Sequence, residues 1–266
     1  MTEKHTMEQG MAFHAGKEGN PLARYVLKYG GTSIADAKRL YAAARTMAAL
    51  QREGHEVVAV LSAQGASTDA LIARAQEIDR DCGGRELDQM LATGEICSVS
   101  LCAMALHRLG VPAVSLCGWQ AGLITQDRYG SAKVLRLGND RIRRELAAGN
   151  VVLVAGFQGV DSAGNVTTLG RGGSDTTAVA LAAFLHADCC RIYTDVDGIY
   201  NKDPRKFTDA VKYDEIGYSE MLTLARGGAQ VLHDRCVELA RQYRVTIEVC
   251  SAFSSDPGTL VRDGFT

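Results

Sequence analysis

The chain holds eight cysteines, yet no two form a CxxC pair and no spacing among them suits zinc. Most lie in apolar runs, where a free thiol behaves as a small hydrophobe, which argues against a metal or disulfide framework. Charge of one sign is also lacking: 29 lysines and arginines face 31 aspartates and glutamates, a formal net charge of −2. Nucleic acid and anionic membranes select strongly basic surfaces, so any anion bound here is held by local cations. No apolar run approaches the roughly 20 residues of a membrane span, and the first 22 residues lack the apolar segment of a signal peptide. The expectation is a cytoplasmic protein with a flexible tail over residues 1–22. Neither an internal repeat nor a low-complexity stretch is present, which excludes solenoid and disordered architectures.

What the sequence does contain is a rhythm. Apolar runs (RYVLKY, VVAVLS, AVSLC, VVLVAGF, CCRIYT, VTIEVC) alternate with helical patterns over 33–52, 68–80, 86–109, 136–148, 175–186 and 218–243. Such alternation predicts an α/β protein with a mainly parallel central sheet and helices on both faces. At 266 residues the chain suits one domain with two lobes, divided near the turn at Gly164-Asn165. In open sheets of this kind ligands bind beyond the carboxyl ends of the strands, and four polar knots sit at such ends.

In VLKYGGTS a strand runs into Gly30-Gly31, and Thr32-Ser33 opens a helix, with Ser33 and Asp36 resembling a capping box. The glycines let backbone amides approach an anion, and Lys28 inside the strand demands a counter-charge unless it lies on a solvated edge. No GxxxxGK[ST] loop is present. In VLSAQGASTD, Ser62 and Thr68 suit either a helix cap or a polar ligand. In TGEICSVSLCAMAL, no charge separates Glu95 from His107, so the helix reads as buried and an acid at its head needs a cation or a ligand amine, or else solvent and the helix dipole. In TTLGRGGSDTTAVALAA, three glycines flank Arg171, a forked donor for carboxylate or phosphate, and Asp175 falls in the first helical turn. IYTDVDGIYNKDPR follows with an acidic turn, Tyr200 and Arg205. Together with Lys28, these form an inventory of cations, acids and bare backbone suited to moving a phosphoryl group.

These segments resemble those of the aspartokinases, within the amino-acid-kinase superfamily. KYGGTS, LATGE, GWQAG, VAGFQG, the GRGGSDTT segment and the IYTDVDG segment occur in the family's order and spacing, and the resemblance covers about residues 24–262. It implies a three-layer αβα sandwich, a catalytic domain over 23–266 with an aspartate-side lobe (about 23–165) and a nucleotide-side lobe (about 166–262), and transfer of the γ-phosphoryl of ATP to the side-chain carboxylate of L-aspartate. The product, 4-phospho-L-aspartate, would feed lysine, threonine and methionine synthesis. By the same resemblance Lys28 would neutralise charge on the transferred phosphoryl and Asp175 would orient the site. Arg171 would grip the substrate α-carboxylate and Glu95 its ammonium, with Ser62, Thr68, Gly173 and Ser174 completing that pocket. Gly30, Gly31, Thr32, Ser33, Thr194, Asp195, Tyr200, Arg205, Gln230 and Val231 would hold the nucleotide, and Mg2+ would bridge its phosphates.

Three departures qualify the carry-over. Gln230 stands where many relatives carry a lysine, Asp234 stands where a proline is usual, and the chain stops at Thr266, where relatives continue into paired ACT domains. The expectation is an aspartate kinase without built-in feedback by lysine, threonine or methionine. A homodimer through surface helices and a separate regulatory chain are the expected protein partners. Two alternatives stay open: a relative acting on glutamate, N-acetylglutamate or a nucleoside monophosphate, and a non-catalytic binding protein on the same fold.

Overall fold

The computed structural model describes residues 22–138, 140–227, 231–254 and 256–264, so residues 1–21 of the expected tail and Gln230 lie outside the described residues. In chain order the strands are β1 (Arg24–Tyr29), β2 (Glu56–Leu61), β3 (Ala113–Leu116), β4 (Leu123–Thr125), β5 (Val134–Leu137), β6 (Val151–Ala155), β7 (Gln158–Val160), β8 (Val166–Thr168), β9 (Cys189–Thr194), β10 (Glu215–Ile216), β11 (Ile247–Ser251) and β12 (Thr259–Val261). The helices are α1 (Ala37–Arg52), α2 (Ser67–Ile78), α3 (Gly84–Arg108), α4 (Asp140–Ala147), α5 (Gly173–Leu185), α6 (Tyr218–Arg226) and α7 (Asp234–Tyr243). One sheet has the order β10-β12-β11-β9-β1-β2-β6-β3 and is parallel except where β11 meets β12.

Alternate residues of the central strands feed two separate cores, because side chains along a strand point to opposite faces. Val26, Val58 and Val60 pack with α4, α5, α6 and α7, through residues such as Ile142, Leu181, Met221 and Val237. Leu27, Tyr29, Ala59 and Leu61 pack with α1 and α3, through Leu40, Met47, Val99 and Leu106. This is the expected three-layer αβα sandwich. β1 lies between β9 and β2, so Lys28 is in a central strand and the solvated-edge reading of it is excluded.

The architecture departs from the sequence reading in several places. A second sheet, β5-β4-β7-β8, occupies segments read as connections, and the helix expected over 136–148 yields its first residues to β5. The helix expected over 218–243 is two helices, α6 and α7. Ser33 makes no capping box: Gly31–Ile34 is a single 3-10 turn, and α1 is capped by Asp36, whose side chain accepts the Arg39 N–H at 2.8 Å. A further correction concerns α3, whose 25 residues are long and apolar enough to cross a membrane, although half of its apolar stretch is buried inside the fold. All eight cysteines are free thiols.

Candidate active site

Four neighbouring parallel strands, β9, β1, β2 and β6, end at the same side of the sheet, and the residues that follow them open a cleft of about 430 Å³. Gly30 and Gly31 come from the end of β1, Ser62 and Ala63 from β2, Phe157 from β6, and Thr194 ends β9. From across the cleft the Gly170–Asp175 loop and the first turn of α5 complete it, directing the positive end of the helix dipole at its contents.

Lys28 points along the sheet face toward α5 and meets Asp175, with Nζ 2.7 Å from Oδ1; the side chains are only 13% and 10% exposed. The approach is close but lacks the alignment of a hydrogen bond, since Oδ1 has no aligned donor. The counter-charge demanded by a strand lysine is therefore present, supplied from another element 147 positions further along the chain.

Glu95 is handled differently. The sequence reading places it at a helix head, but α3 begins at Gly84 and Glu95 sits in mid-helix, 3% exposed and beyond help from the dipole. The helix runs through Gly94 because it passes close to the β2–α2 loop: a Cβ on Gly94 would lie 2.8 Å from the Ala63 Cβ. That approach lets Glu95 Oε1 accept the Ala63 N–H at 3.0 Å, while Oε2 is buried with no partner. Burial pushes the Glu95 carboxyl up to about 7, with the Ala63 N–H pulling against it.

Arg171 is exposed and has no ion-pair partner among the described residues; its carbonyl accepts a long 3.4 Å bond from the Arg235 guanidinium. Gly172, the N-cap of α5, has φ +69°, and a Cβ there would lie 2.3 Å from the His233 ring. Only glycine meets both demands. His233 and Phe157 are cleft residues that sequence reasoning did not single out. Phe157 has φ +69°, unusual for an aromatic, and its N–H donates to Thr177 Oγ1 at 3.3 Å. A bulky residue held in that region is strained, and no sequence pattern displays it.

Of the residues expected to bind, the cleft gathers Lys28, Gly30, Gly31, Thr32, Ser62, Thr68, Glu95, Arg171, Gly173, Ser174, Asp175, Thr194 and Val231. Tyr200 and Arg205 line a neighbouring cavity of about 670 Å³, which shares Val231 with the cleft. There the Tyr200 hydroxyl donates to Asp197, at 3.0 Å to the nearer oxygen, and Arg205 pairs with Asp203 at 3.1 Å. Ser33 and Asp195 fall outside both cavities. Ser33 is buried behind the glycine turn, and Asp195 accepts the Thr194 hydroxyl at 3.1 Å. Asp234, the second departure, opens α7 at its first position, where proline and an acid are both favourable.

The amino acid kinase family model matches residues 23–251. The chain belongs to that family. It is 49% identical over 238 residues to an aspartokinase of Geobacillus stearothermophilus, an alignment covering 90% of this chain and 58% of that protein. The crystal structure of aspartate kinase from Synechocystis superposes with a TM-score of 0.82 at 44% identity, over 92% of this chain and 40% of that one. Aspartokinase III of E. coli, in complex with aspartate and ADP, superposes at 0.81 and 29% identity, over 91% of this chain and 65% of that one. The chain thus spans somewhat under three fifths of the curated relative's length.

Proposed function

We propose that the cleft transfers the γ-phosphoryl of ATP to the side-chain carboxylate of L-aspartate, giving 4-phospho-L-aspartate and ADP. The observation that carries this reading is the pairing, in one cavity, of two groups left unfilled among the described residues: a cation without an ion-pair partner, Arg171, and a buried acid oxygen without a donor, Glu95 Oε2. A free amino acid supplies an α-carboxylate to the first and an ammonium to the second. An N-acetylated acid or a nucleoside monophosphate leaves Glu95 uncompensated. The relatives bearing the aspartokinase name, and the E. coli complex with aspartate and ADP, support the same choice.

In the reaction a side-chain oxygen of aspartate attacks the γ-phosphorus, the bond from that phosphorus to the β-phosphate oxygen breaks, and ADP departs. Lys28 faces the negative charge that spreads over the transferred group, and Asp175 holds the Lys28 side chain in place. Ser62, Thr68, Gly173 and Ser174 belong to the amino-acid side. Thr194, Tyr200, Arg205 and Val231 belong to the nucleotide side, with the base in the neighbouring cavity, and Arg205 exchanges Asp203 for the nucleotide. The two lobes, 23–165 and 166–262, divide these tasks, with the Arg171–Ser174 stretch crossing from the second to the amino acid.

Among the described residues no group of three or more His, Cys, Asp or Glu could hold a metal ion; Asp175 faces Lys28, and Glu95 takes the Ala63 N–H on one oxygen only. Magnesium would then enter on the nucleotide. It would supply charge neutralisation on the phosphates. A cytoplasmic enzyme of amino-acid biosynthesis follows from this reading. Its test is ADP release with ATP and magnesium, with and without L-aspartate, together with capture of the acyl phosphate by hydroxylamine. Aspartate-dependent release with hydroxamate formation is expected. Release that is unchanged without aspartate, or that responds to N-acetylglutamate or a nucleoside monophosphate instead, overturns it.

A further inference from the structure

Asp88 is 2% exposed and lies outside the cleft, in the second turn of α3. Every partner it has is a donor. Oδ2 accepts the Thr168 N–H at 2.6 Å and Oδ1 accepts the Thr168 hydroxyl at 2.9 Å. Both oxygens also accept the Gly130 N–H, at 3.0 and 2.9 Å. No lysine, arginine or histidine pairs with it among the described residues. Such a carboxylate is held entirely by hydrogen bonds, so its geometry is specified by the groups it fixes.

Those groups lead directly to the substrate side of the cleft. Thr168 ends β8, three positions before Arg171, and its carbonyl accepts the Ala132 N–H at 2.9 Å. Leu169 then donates to the Phe157 carbonyl at 2.8 Å, and Gly170 turns with φ +73° directly over Gly130, whose carbonyl would lie 2.9 Å from a Cβ there. The loop therefore leaves a point that Asp88 fixes and rests on a turn that Asp88 also fixes. Asp88 and Glu95 are seven residues apart on one helix, two turns, which places them on the same face and about 10 Å apart along the axis.

We propose that Asp88 is a positioning residue. Through Thr168 and Gly130 it sets the Arg171 loop against the helix that carries Glu95. The distance between the group that grips the α-carboxylate and the group that accepts the ammonium is then fixed by α3, so that one amino acid can satisfy both at once. This inference rests on the substrate reading given above and adds to it a residue that determines how well the α-carboxylate and the ammonium are held together.

The test is Asp88→Asn, whose amide opposes a donor with a donor, read by aspartate KM, ATP KM and tryptic cleavage of the Arg171–Gly172 bond followed by mass spectrometry below the melting temperature. The expected result is a rise in aspartate KM of about 10- to 100-fold, the scale of a misplaced substrate-binding group, with ATP KM unchanged. The same substitution in an Arg171→Ala background should leave aspartate KM where Arg171→Ala alone puts it, because Asp88 acts through Arg171. Thr168→Val should reproduce the effect and Thr168→Ser should not, which keeps the test open if Asp88→Asn fails to fold. Equal changes in both KM values, or additive effects in the double variant, overturn the proposal. Should the unmodified protein show no aspartate-dependent turnover, the functional reading fails by itself. The role of Asp88 is then decided by proteolysis, where cleavage after Arg171 no faster than in the unmodified chain rejects it.

Discussion

Asp175 and Glu95 line the same cleft and are 7% and 3% exposed, yet one has a lysine at 2.7 Å and the other has no cation among the described residues. On the α5 side the charges are paired before any ligand arrives, so Lys28 is held in one orientation and needs no rearrangement when charge develops near it. On the α3 side the acid is left uncompensated, and its carboxyl is pushed up to about 7 by burial. A group that must face changing charge throughout a reaction benefits from being preorganised. A group whose task is to admit a ligand gains selectivity from being incomplete without it, since the wrong ligand leaves a buried acid unpaired.

The largest expected effect breaks the paired side. Lys28→Ala should lower kcat by about 10²–10⁴, the range for loss of a donor that acts on transition-state charge, with aspartate KM little changed. Steady-state kinetics at saturating ATP decide it. Near-normal turnover would remove Lys28 from the chemistry and leave its ion pair with Asp175 as a structural contact. Arg171→Ala should act in the opposite sense, raising aspartate KM by about 30-fold with a smaller change in kcat. The figure corresponds to about 2 kcal/mol, the low end for losing one partner of a charge pair, because Arg171 is exposed in the free protein. A fall in kcat with KM unchanged would move Arg171 from the amino acid to the transferred phosphoryl.

The same contrast explains what could be read before the fold was known. β1 and β9 coincide with the runs RYVLKY and CCRIYT because central parallel strands carry apolar side chains on both faces, so that apolar residues outnumber the charges among them. Polar residues at their ends mark the cleft for the same reason. The second sheet was invisible because three of its strands, β4, β7 and β8, have three residues each, too few to display a period. The uncharged stretch from Glu95 to His107 puts Glu95 at the head of its apolar part, whereas the helix itself begins at Gly84 and passes close over Ala63 at Gly94. Phe157, His233 and Asp88 have no local signature at all. What marks them is a positive φ, a ring packed on Gly172 and a set of hydrogen bonds spanning 42 and 80 positions, all products of tertiary structure.

On the unpaired side, the acid must be ionised to accept an ammonium. Aspartate affinity should therefore rise as pH rises through about 7 and level off above it, falling by about tenfold per pH unit below that value. Calorimetric titration between pH 6 and pH 8 measures this directly. Glu95→Gln should bind aspartate more weakly at pH 8 and show a flat profile. A profile in that variant as steep as in the unmodified chain would assign the titration to another group.

The smallest effect is on stability, and its sign separates an uncompensated acid from an ordinary structural one. Between the usual glutamate value of 4.5 and about 7, the folded protein holds a proton on Glu95 that the unfolded chain has released. The contribution of this site is therefore fully present below about 4.5 and is lost as pH rises through about 7. Glutamine keeps an oxygen for the Ala63 N–H and carries no charge. Glu95→Gln should then match the unmodified protein in melting temperature at pH 5 and exceed it at pH 8, by about 2–4 °C for each kcal/mol of relieved burial in a chain of this size. Saturating aspartate should narrow the difference at pH 8, because the ligand brings the missing cation to the glutamate and binds the glutamine variant poorly. Melting curves at the two pH values, with and without aspartate, are sufficient. A lower melting temperature for Glu95→Gln at pH 8 would mean that the carboxylate is compensated in the free protein, and the distinction between the two acids would collapse.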